Sequence, residues 1–317
     1  MSKDHIEHTQ AIYGLREGAK EFPMMVVLSF VYVCNAICPN CPYNNSDIRS
    51  KYKEAMVMPE NIFRRIADEC GDYQSYLRIS GGGEPMLHPK AVELMVYAKE
   101  KGARIGLITN GSKFTEENLT TLIRSGVDAI EFSVDAPDEQ TYNRVRPGLD
   151  WEHLNRNVRM AVDIRNCLNA ETRVVSSIIN QEGVNVNAAE SYWSKIVDNV
   201  QVRKYLTWGY NKNRSADSRA YLDSKDRIPC PWLFERLNVD SFGDVTLCGE
   251  DIAFNEKFGN VMERSIKDIW LGPEFERFRE KHLSGHGNDI RICSKCPDWQ
   301  YRSWQYNYWK VLEDAGN

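Results

Sequence analysis

Long apolar runs are missing from this sequence, and so is a targeting signal. The longest apolar stretch covers residues 24–33 (MMVVLSFVYV), whereas a helix needs about 20 apolar residues to cross a bilayer. The first ten residues, MSKDHIEHTQ, mix acids with bases and lack the apolar core and small-residue cleavage site of a secretory signal. These absences predict a cytoplasmic protein without a membrane span.

An excess of positive charge is missing as well. The chain has 317 residues, with 40 Lys and Arg against 45 Asp and Glu and a net charge of −5. The chain therefore lacks the excess of positive charge that is typical of proteins that bind nucleic acids. Hydrophobic residues make up 42% of the chain, which is typical of a globular protein. At about 150 residues per domain, the length predicts two domains or one large barrel with an appendage.

The cysteine count is nine, an odd number. In a chain without a secretory signal, an odd count disfavours a disulfide framework and favours metal ligation or redox chemistry. Cys70 and Cys167 lie in predicted helices, without partners at ligand spacing. Both are predicted to pack in the core, with a role as hydrogen-atom donor as the alternative.

Short apolar or β-branched segments alternate with helix-length segments as far as about residue 207. Six strands are predicted, at 24–33, 76–80, 104–109, 129–134, 172–179 and about 200–206. Helices are predicted at 59–70, 90–101, 115–125, 151–168 and 188–195. This alternation favours a parallel sheet with right-handed crossovers. The sequence therefore predicts an α/β fold, a partial (βα)6 TIM-like barrel, with catalytic residues at the carboxyl ends of the strands.

The alternation then stops. Residues 211–229 are polar and are predicted to be a linker or mobile loop, and residues 237–248 (LNVDSFGDVTLC) predict a β-hairpin. The remainder is predicted to be helical, including 265–270 and 273–282. The aromatic residues at 299–309 are predicted to clamp the last helix onto the barrel. The predicted domains are thus a barrel at 1–210 and a small hairpin and helix domain at 230–317.

Three cysteines stand within eight residues at the end of the first predicted strand. Cys34, Cys38 and Cys41 form a C-x3-C-x2-C array. A [4Fe–4S] cubane held by three thiolates keeps one iron open to an outside ligand. A structural zinc ion would need a fourth Cys or His close by, and the nearest histidine, His88, follows a different strand. Incidental core cysteines are the other alternative, but three on one loop favour ligation.

Four further cysteines follow the barrel: Cys230, Cys248, Cys293 and Cys296. The last two form a C-x2-C pair, and Cys248 ends the predicted hairpin. Four thiolates can close a site around one inorganic centre. Zinc and a [4Fe–4S] cluster both accept such a set, and the spacing does not decide between them.

The three-cysteine array resembles the signature of the radical S-adenosylmethionine (SAM) superfamily, and the resemblance extends over about residues 24–206. It implies a set of SAM-binding residues, which are Gly82, Gly83, Glu84, Ser133, Asp135 and Arg146. The first three resemble the GGE motif that holds the methionine amino group, the next two lie near the ribose, and the arginine pairs with the methionine carboxylate. Asn40 stands where the family carries an aromatic residue that packs on adenine, and Tyr43 is the candidate to replace it.

The C-terminal part resembles the twitch domain, a shortened SPASM extension that holds one auxiliary [4Fe–4S] cluster. Residues 258–261 (FGNV) and 265–270 (SIKDIW) resemble the segment that recurs there. The resemblance implies that the four later cysteines ligate this cluster. Because protein thiolates would occupy all of its irons, it would transfer an electron rather than bind substrate.

The resemblance also implies a reaction. The first cluster, reduced by an external flavodoxin- or ferredoxin-type donor, cleaves SAM to a 5′-deoxyadenosyl radical that abstracts hydrogen from a small-molecule substrate. The cysteine spacing resembles that of twitch dehydrogenases of the 2-deoxy-scyllo-inosamine type. This implies oxidation of a sugar, aminocyclitol or similar alcohol, with the auxiliary cluster as electron acceptor. Candidate bases, chosen by position only, are Arg203, Tyr210, Arg214 and Glu250.

Other functions stay open at this point. A related enzyme could be an epimerase or a maturase of a ribosomal peptide. Only 33 residues precede Cys34, fewer than a leader-binding domain would need, since a globular domain seldom falls below about 50 residues. A zinc-stabilised binding protein without enzymatic activity is the alternative from another class.

Overall fold

The computed structural model describes residues 21–44, 46, 50, 56–204, 229–252 and 256–296. In this part of the chain the strands are β1 (Met25–Val31), β2 (Tyr76–Gly82), β3 (Arg104–Thr109), β4 (Ala129–Ser133), β5 (Arg173–Asn180), β6 (Asn199–Lys204), β7 (Arg236–Val239), β8 (Asp244–Thr246) and β9 (Lys257–Asn260). The α-helices are α1 (Glu60–Asp72), α2 (Ala91–Glu100), α3 (Glu116–Arg124), α4 (Glu139–Val145), α5 (Trp151–Leu168), α6 (Val186–Trp193), α7 (Trp232–Glu235), α8 (Ile266–Trp270) and α9 (Pro273–Leu283).

All nine strands belong to one sheet, in the spatial order β6-β5-β4-β3-β2-β1-β7-β8-β9. Strands β1 to β6 are parallel to their neighbours and follow one another in chain order. Since β6 and β9 lie at opposite ends of the sheet, the barrel is open. The predicted α/β fold with six parallel strands is confirmed. Helix α4 was not predicted, and residues 205–228, which include most of the predicted linker, lie outside the described residues.

The C-terminal strands extend the same sheet. Strand β7 pairs in parallel with β1, Met25 opposite Arg236, and β7 and β8 form the predicted antiparallel hairpin. After this hairpin, α8 and α9 confirm the helices predicted at 265–270 and 273–282. The prediction is wrong for Lys257–Asn260, where β9 adds an antiparallel strand next to β8. Phe258 of β9 is buried against Phe275 and Phe278 of α9. The apolar alternation of such a short strand is too brief to distinguish from a helix.

The two faces of the sheet differ in polarity. In β4, Ile130 and Phe132 are buried in the main apolar core, beneath the helices. Glu131 lies between them and therefore faces the concave side of the barrel, because strand side chains alternate. Met25, Tyr76 and Ala129 form a separate apolar cluster outside the main core. The concave face thus combines a small apolar patch with charged groups.

Two aspartates tie adjacent strands together at their amino ends. Asp128, just before β4, accepts a 2.7 Å hydrogen bond from the backbone N–H of Ile105 in β3. Asp198, just before β6, accepts one of 2.8 Å from Val174 in β5. These contacts satisfy backbone N–H groups at the amino ends of the strands, opposite to the cysteine loop. The carboxyl ends remain for a functional site.

The two unpaired cysteines differ in their surroundings. Cys70 on α1 is fully buried in the apolar core, as predicted. The same prediction for Cys167 is wrong, because its side chain is exposed. The buried stripe of α5 runs through Leu154, Val158 and Ala161, and Cys167 lies outside the helical repeat of that stripe. No helix in the described part of the chain has the length and apolarity needed to cross a membrane.

Candidate functional site

The cysteine loop begins where β1 ends, at the carboxyl edge of the sheet. A tight turn forms there, in which the N–H of Cys41 donates to the Cys38 carbonyl oxygen over 3.0 Å. The N–H of Ala36 points at the Cys34 sulfur, 3.5 Å away. The N–H of Ile37 donates to the Pro147 carbonyl oxygen, which ties the loop to the segment after α4. The loop therefore presents three thiols over the ends of the parallel strands.

The three thiols influence one another electrostatically. Burial raises the pKa of the Cys41 thiol to about 11, and the charges of Cys38 and Cys34 add to the rise. Burial also raises the pKa of Cys34, with smaller contributions from Glu84 and Cys38. The guanidinium of Arg146 acts on both thiols in the opposite direction. A positive charge therefore lies beside three thiols that would carry negative charge as ligands.

The donor set fits an iron–sulfur cubane better than a single metal ion. Among the described residues, no three His, Cys, Asp or Glu side chains are arranged to hold one ion. A cubane binds each thiolate at a different iron, so its ligands surround a cage and do not converge on a point. Cys34, Cys38 and Cys41 would hold such a cluster. Backbone N–H groups next to the sulfur atoms suit thiolate ligands, since hydrogen bonds to sulfur tune the cluster potential.

Glu84 links the ends of two strands beneath the loop. Its carboxylate accepts hydrogen bonds from the Thr109 hydroxyl at 2.6 Å and from the N–H of Asn110 at 2.7 Å. Burial raises the pKa of Glu84, against the effect of these hydrogen bonds. Gly82 has φ +71°, and a Cβ there would overlap the Val31 carbonyl oxygen. At Gly83 a Cβ would overlap the Val33 carbonyl oxygen. Glycine is therefore needed where this segment passes the cysteine loop, because no side chain fits there.

Three polar residues that were not predicted complete this edge. The Asn35 amide donates to the Ser112 hydroxyl over 2.8 Å, and the Asn110 amide donates to Asn35 over 3.0 Å. Asn35 follows Cys34 directly, so these contacts fix the loop to the end of β3. The polar sequence Asn110-Gly111-Ser112 after a predicted strand was the signal available in the sequence.

Asp135 and Arg146 form a buried ion pair beside the thiols. Asp135 Oδ2 accepts from Arg146 Nε at 2.8 Å and Nη2 at 2.6 Å, and its Oδ1 accepts from the N–H of Ile179 at 2.7 Å. Within the described residues, Arg146 Nη1 has no hydrogen bond. That nitrogen is free to donate to a carboxylate such as that of methionine. Ser133 is partly exposed at the end of β4.

Tyr43 lies between the cysteine loop and the segment after Cys248. Its hydroxyl hydrogen-bonds to the Ser29 side chain and the Gly82 backbone, and its ring packs against Tyr32 with the ring centres 5.8 Å apart. Burial raises its pKa, with a smaller contribution from the charge of Cys41. Asn40 donates to the Gln181 side chain, in the loop after β5. Packing of Tyr43 on adenine stays a prediction.

The four later cysteines lie on separate elements of the C-terminal part. Cys230 precedes α7, and its N–H donates to His282 Nδ1 over 3.2 Å. Cys248 follows β8, and Cys293 and Cys296 flank a short turn closed by a 3.1 Å backbone hydrogen bond. All four are partly exposed. Their roles as ligands stay a prediction, and the donor set suits an auxiliary cluster.

The candidate bases are only partly within the described residues. Tyr210 and Arg214 lie outside them, as does the aromatic segment 299–309. Glu250 is buried, with 2% exposure, two residues after Cys248. Arg203 Nη2 donates to Glu131 Oε2 and to Gln201 Oε1, both over 2.7 Å. A guanidinium stays protonated in proteins, so Arg203 is a donor and not a base.

Comparisons with known proteins agree with this arrangement. Residues 28–186 match the radical SAM superfamily, and residues 230–297 match SPASM, an iron–sulfur cluster-binding domain. PqqA peptide cyclase of Xanthomonas axonopodis pv. citri is 27% identical, over 87% of this chain and 82% of that protein. These matches argue against the alternative of a zinc-stabilised binding protein.

Solved structures share the fold. The structure of BtrN in complex with AdoMet and 2-DOIA has a TM-score of 0.57 and 19% identity, covering 86% of this chain and 92% of that chain. Streptococcus suis SuiB bound to its precursor peptide SuiA has a TM-score of 0.67 and 14% identity, covering 82% of this chain and 67% of that chain. The chain therefore belongs to the radical SAM superfamily, with SAM and a [4Fe–4S] cluster as its cofactors and a C-terminal SPASM domain for auxiliary iron–sulfur chemistry.

Proposed function

We propose that this enzyme oxidises a small polar alcohol by radical chemistry, with the auxiliary cluster as electron acceptor. The observation that carries the proposal is the carboxyl edge of the sheet, where three thiols, the free Nη1 of Arg146 and the Gly82 to Glu84 segment lie together. Cys34, Cys38 and Cys41 would hold a cluster there, which would supply the electron for SAM cleavage and thereby the radical chemistry of hydrogen abstraction. An external one-electron donor of the flavodoxin or ferredoxin type reduces it.

The residues of the site would orient SAM and exclude water. Arg146 would donate from Nη1 to the methionine carboxylate while Asp135 holds its other edge. Glu84 and the backbone of the preceding glycines would hold the amino group. Ser133 and Asp135 would lie near the ribose. Such fixed positions keep the reacting atoms aligned, which is the main contribution of a protein to cofactor chemistry.

Oxidation of an alcohol to a ketone removes two hydrogens in separate steps. The carbon would first lose a hydrogen atom, through the radical chemistry that SAM would supply. The substrate then loses one electron, and its hydroxyl group loses a proton to a base. Cys230, Cys248, Cys293 and Cys296 would ligate the cluster that takes this electron. Glu250, close in sequence to Cys248, is the remaining described candidate for the base.

Peptide modification is a second candidate function, because of the relatives. PqqA peptide cyclase aligns with 87% of this chain, so the similarity includes both the barrel and the iron–sulfur domain. In this reaction too, hydrogen abstraction would start from SAM and the auxiliary site would take an electron. The two candidates differ in the substrate, and epimerisation would differ in returning a hydrogen atom to the substrate radical.

The test starts with anaerobically reconstituted protein, reduced with dithionite and supplied with SAM. Two cubanes should give about eight irons per chain, and 5′-deoxyadenosine should form. One assay then contains an aminocyclitol alcohol, the alcohol arm, and a second assay contains a peptide encoded next to the gene of this enzyme. A ketone in the alcohol arm supports the first candidate, whereas a peptide product without any ketone rejects it in favour of the second. Absence of 5′-deoxyadenosine in all arms contradicts both.

A further inference from the structure

The concave face of the barrel carries a second ion pair next to the SAM region. Glu131 of β4 is almost fully buried, and Arg203 of β6 donates to its Oε2 over 2.7 Å. Arg203 lies opposite Ile179 in the β5–β6 register, and the N–H of Ile179 donates to Asp135, the partner of Arg146. Arg203 is therefore one strand away from the residue that holds the Arg146 ion pair.

Arg203 keeps unused donors towards the barrel interior. Its Nη2 is occupied by Glu131 and by Gln201. Its Nε is buried and has no partner among the described residues, whereas its Nη1 is not buried and makes no hydrogen bond there; the side chain is 29% exposed. A guanidinium has five N–H donors in a fixed fork. The fork is held on one side, so the other side can bind an oxygen atom of a substrate at low entropic cost.

Neutral polar groups lie beside this pair. Ser133 of β4 is opposite Ser177 of β5, and Ser177 is opposite Gln201 of β6. Within the described residues, the side chains of the two serines make no hydrogen bonds. Ser133 lies between the core residues Phe132 and Val134, and Ser177 precedes the core residue Ile178, so both serines face the concave side. This row offers both donors and acceptors, as hydroxyl groups require.

Two ion pairs of this region, among the described residues, each balance one positive with one negative charge. Glu131 compensates Arg203, with 2.7 Å between the charged atoms, and Asp135 compensates Arg146, with 2.6 Å. In the SAM-loaded enzyme an anionic substrate would have to leave water for a site where Glu131 already compensates Arg203 and where Asp135 and the methionine carboxylate would occupy Arg146. Desolvation of an anion without a free counter-charge is unfavourable. A neutral hydroxyl compound loses less on entering and gains hydrogen bonds to the serines, Gln201 and Arg203.

We infer that Arg203, Gln201 and Ser177, with Ser133 at the border to the SAM ribose, form a substrate subsite for uncharged, polyhydroxylated compounds, and that Glu131 makes this subsite discriminate against phosphorylated or carboxylated ones. The hydroxyl oxygen accepts from Arg203 and from a serine, and its hydrogen is donated to Gln201 or a serine. The inference deepens the proposed function and rests on it for the alcohol class. The discrimination by charge follows from the ion pairs alone.

The test compares two probes with the same ring, myo-inositol and myo-inositol 1-phosphate. Each is titrated calorimetrically into reconstituted, oxidised, SAM-loaded enzyme, where no turnover occurs. The wild type should bind the neutral probe at least about tenfold more tightly, a difference of about 1.4 kcal/mol. In Glu131→Gln the charge of Arg203 is no longer compensated. The ratio of the dissociation constants of the two probes should therefore shift by about tenfold or more in favour of the phosphate.

A second variant and a control accompany this comparison. Gln201→Glu changes a partly exposed residue and should move the ratio away from the phosphate, so the charge argument is tested even if Glu131→Gln fails to fold. Asp198→Asn removes the charge of the Arg165–Asp198 pair, which has the same 2.7 Å distance but lies at the opposite strand ends. It should leave the ratio unchanged.

Three results would overturn the inference. They are wild-type preference for the phosphate, no binding of myo-inositol, and a ratio that stays the same in both Glu131→Gln and Gln201→Glu. Formation of 5′-deoxyadenosine is measured separately on the same preparations without probe. Loss of that product refutes the proposed function, whereas the binding ratio decides the inference about charge.

Discussion

Arg146 donates from two nitrogens, Nε and Nη2, to the same oxygen of Asp135, at 2.8 and 2.6 Å. Both hydrogen bonds use one edge of the guanidinium and leave Nη1 at the other side. The second oxygen of Asp135 is held by the backbone of β5. The position of Arg146 is thereby fixed by the sheet itself, and we expect this fixed position to set the affinity for SAM.

Substitution of Arg146 by lysine should weaken SAM binding. Lysine keeps the charge but cannot bind Asp135 and the methionine carboxylate with one planar fork. Hydrogen bonds to charged groups contribute about 1.5–3 kcal/mol, so the dissociation constant for SAM should rise about tenfold or more. Equilibrium binding to the oxidised protein measures it. Arg144→Lys, at an exposed position of α4 two residues earlier, is the control, and unchanged SAM affinity in Arg146→Lys would contradict the assignment.

Substitution of Cys34 by alanine should abolish SAM cleavage, because the cubane loses one of its three protein ligands. The iron content should fall by about half, since one of two cubanes is lost. Iron analysis and 5′-deoxyadenosine formation check this. Cys167→Ala, which removes an exposed thiol on α5, should retain both. Full SAM cleavage in Cys34→Ala would show that this thiol is not a ligand.

Substitution of Cys248 by alanine should separate the two halves of the reaction. The SAM site remains, so some 5′-deoxyadenosine should still form, whereas oxidised product should not. The reason is that the electron from the substrate radical loses its acceptor. Both products are quantified in the same sample. Undiminished formation of oxidised product would remove the auxiliary cluster from the proposed mechanism.

Glu69 should stabilise the contact between α1 and the C-terminal part. Its carboxylate accepts a 2.7 Å hydrogen bond from the N–H of Ile266, at the start of α8. Burial raises the pKa of this carboxyl group, in part opposed by the bonds to Ile266 and Lys267. Glu69→Ala should lower the free energy of unfolding by about 1–2 kcal/mol. Asp68→Ala, with 47% of the side chain exposed, should cost less in the same denaturation experiment.

Asp240 should make stability depend on pH. Burial raises the pKa of this carboxyl group to about 6, from an ordinary value of 3.8. The folded state thus binds the proton more tightly than the unfolded state, so the free energy of unfolding falls as the pH rises from about 4 to about 6. In Asp240→Asn this loss is absent.

The variant should therefore gain on the order of 3 kcal/mol relative to the wild type between about pH 4 and pH 7. Its amide oxygen can still accept from the N–H groups of Phe242 and Asp244, both at 2.9 Å in the wild type. Urea denaturation of both proteins across this pH range gives the difference. A constant difference would show that Asp240 does not titrate with folding.

The sequence predicted the parallel sheet because its strands are continuous apolar runs separated by helix-length segments. It also placed Cys34, Cys38 and Cys41 at a strand end, where polar residues in a parallel sheet meet. The hairpin at Asp244 was predictable from its glycine-containing turn. These features all depend on residues close together in the chain.

The contacts that the sequence did not predict depend on pairing between segments that are distant in the chain. Glu131 and Arg203 are 72 positions apart, and only the register of β4, β5 and β6 brings them together. The contact of Glu69 with Ile266 spans 197 positions. The parallel pairing of β7 with β1 had no local signal either. The sequence of Arg236–Val239 fits a strand in a separate sheet as well as a strand that extends the first sheet.

That pairing has a consequence for any attempt to shorten the protein. A chain cut before residue 229 would leave the backbone N–H and C=O groups of β1 on the β7 side without partners. Exposed strand edges of this kind recruit other chains and promote aggregation. The SPASM part thus acts as a protective cover for the catalytic half, and excision of it should yield insoluble material and not a smaller enzyme.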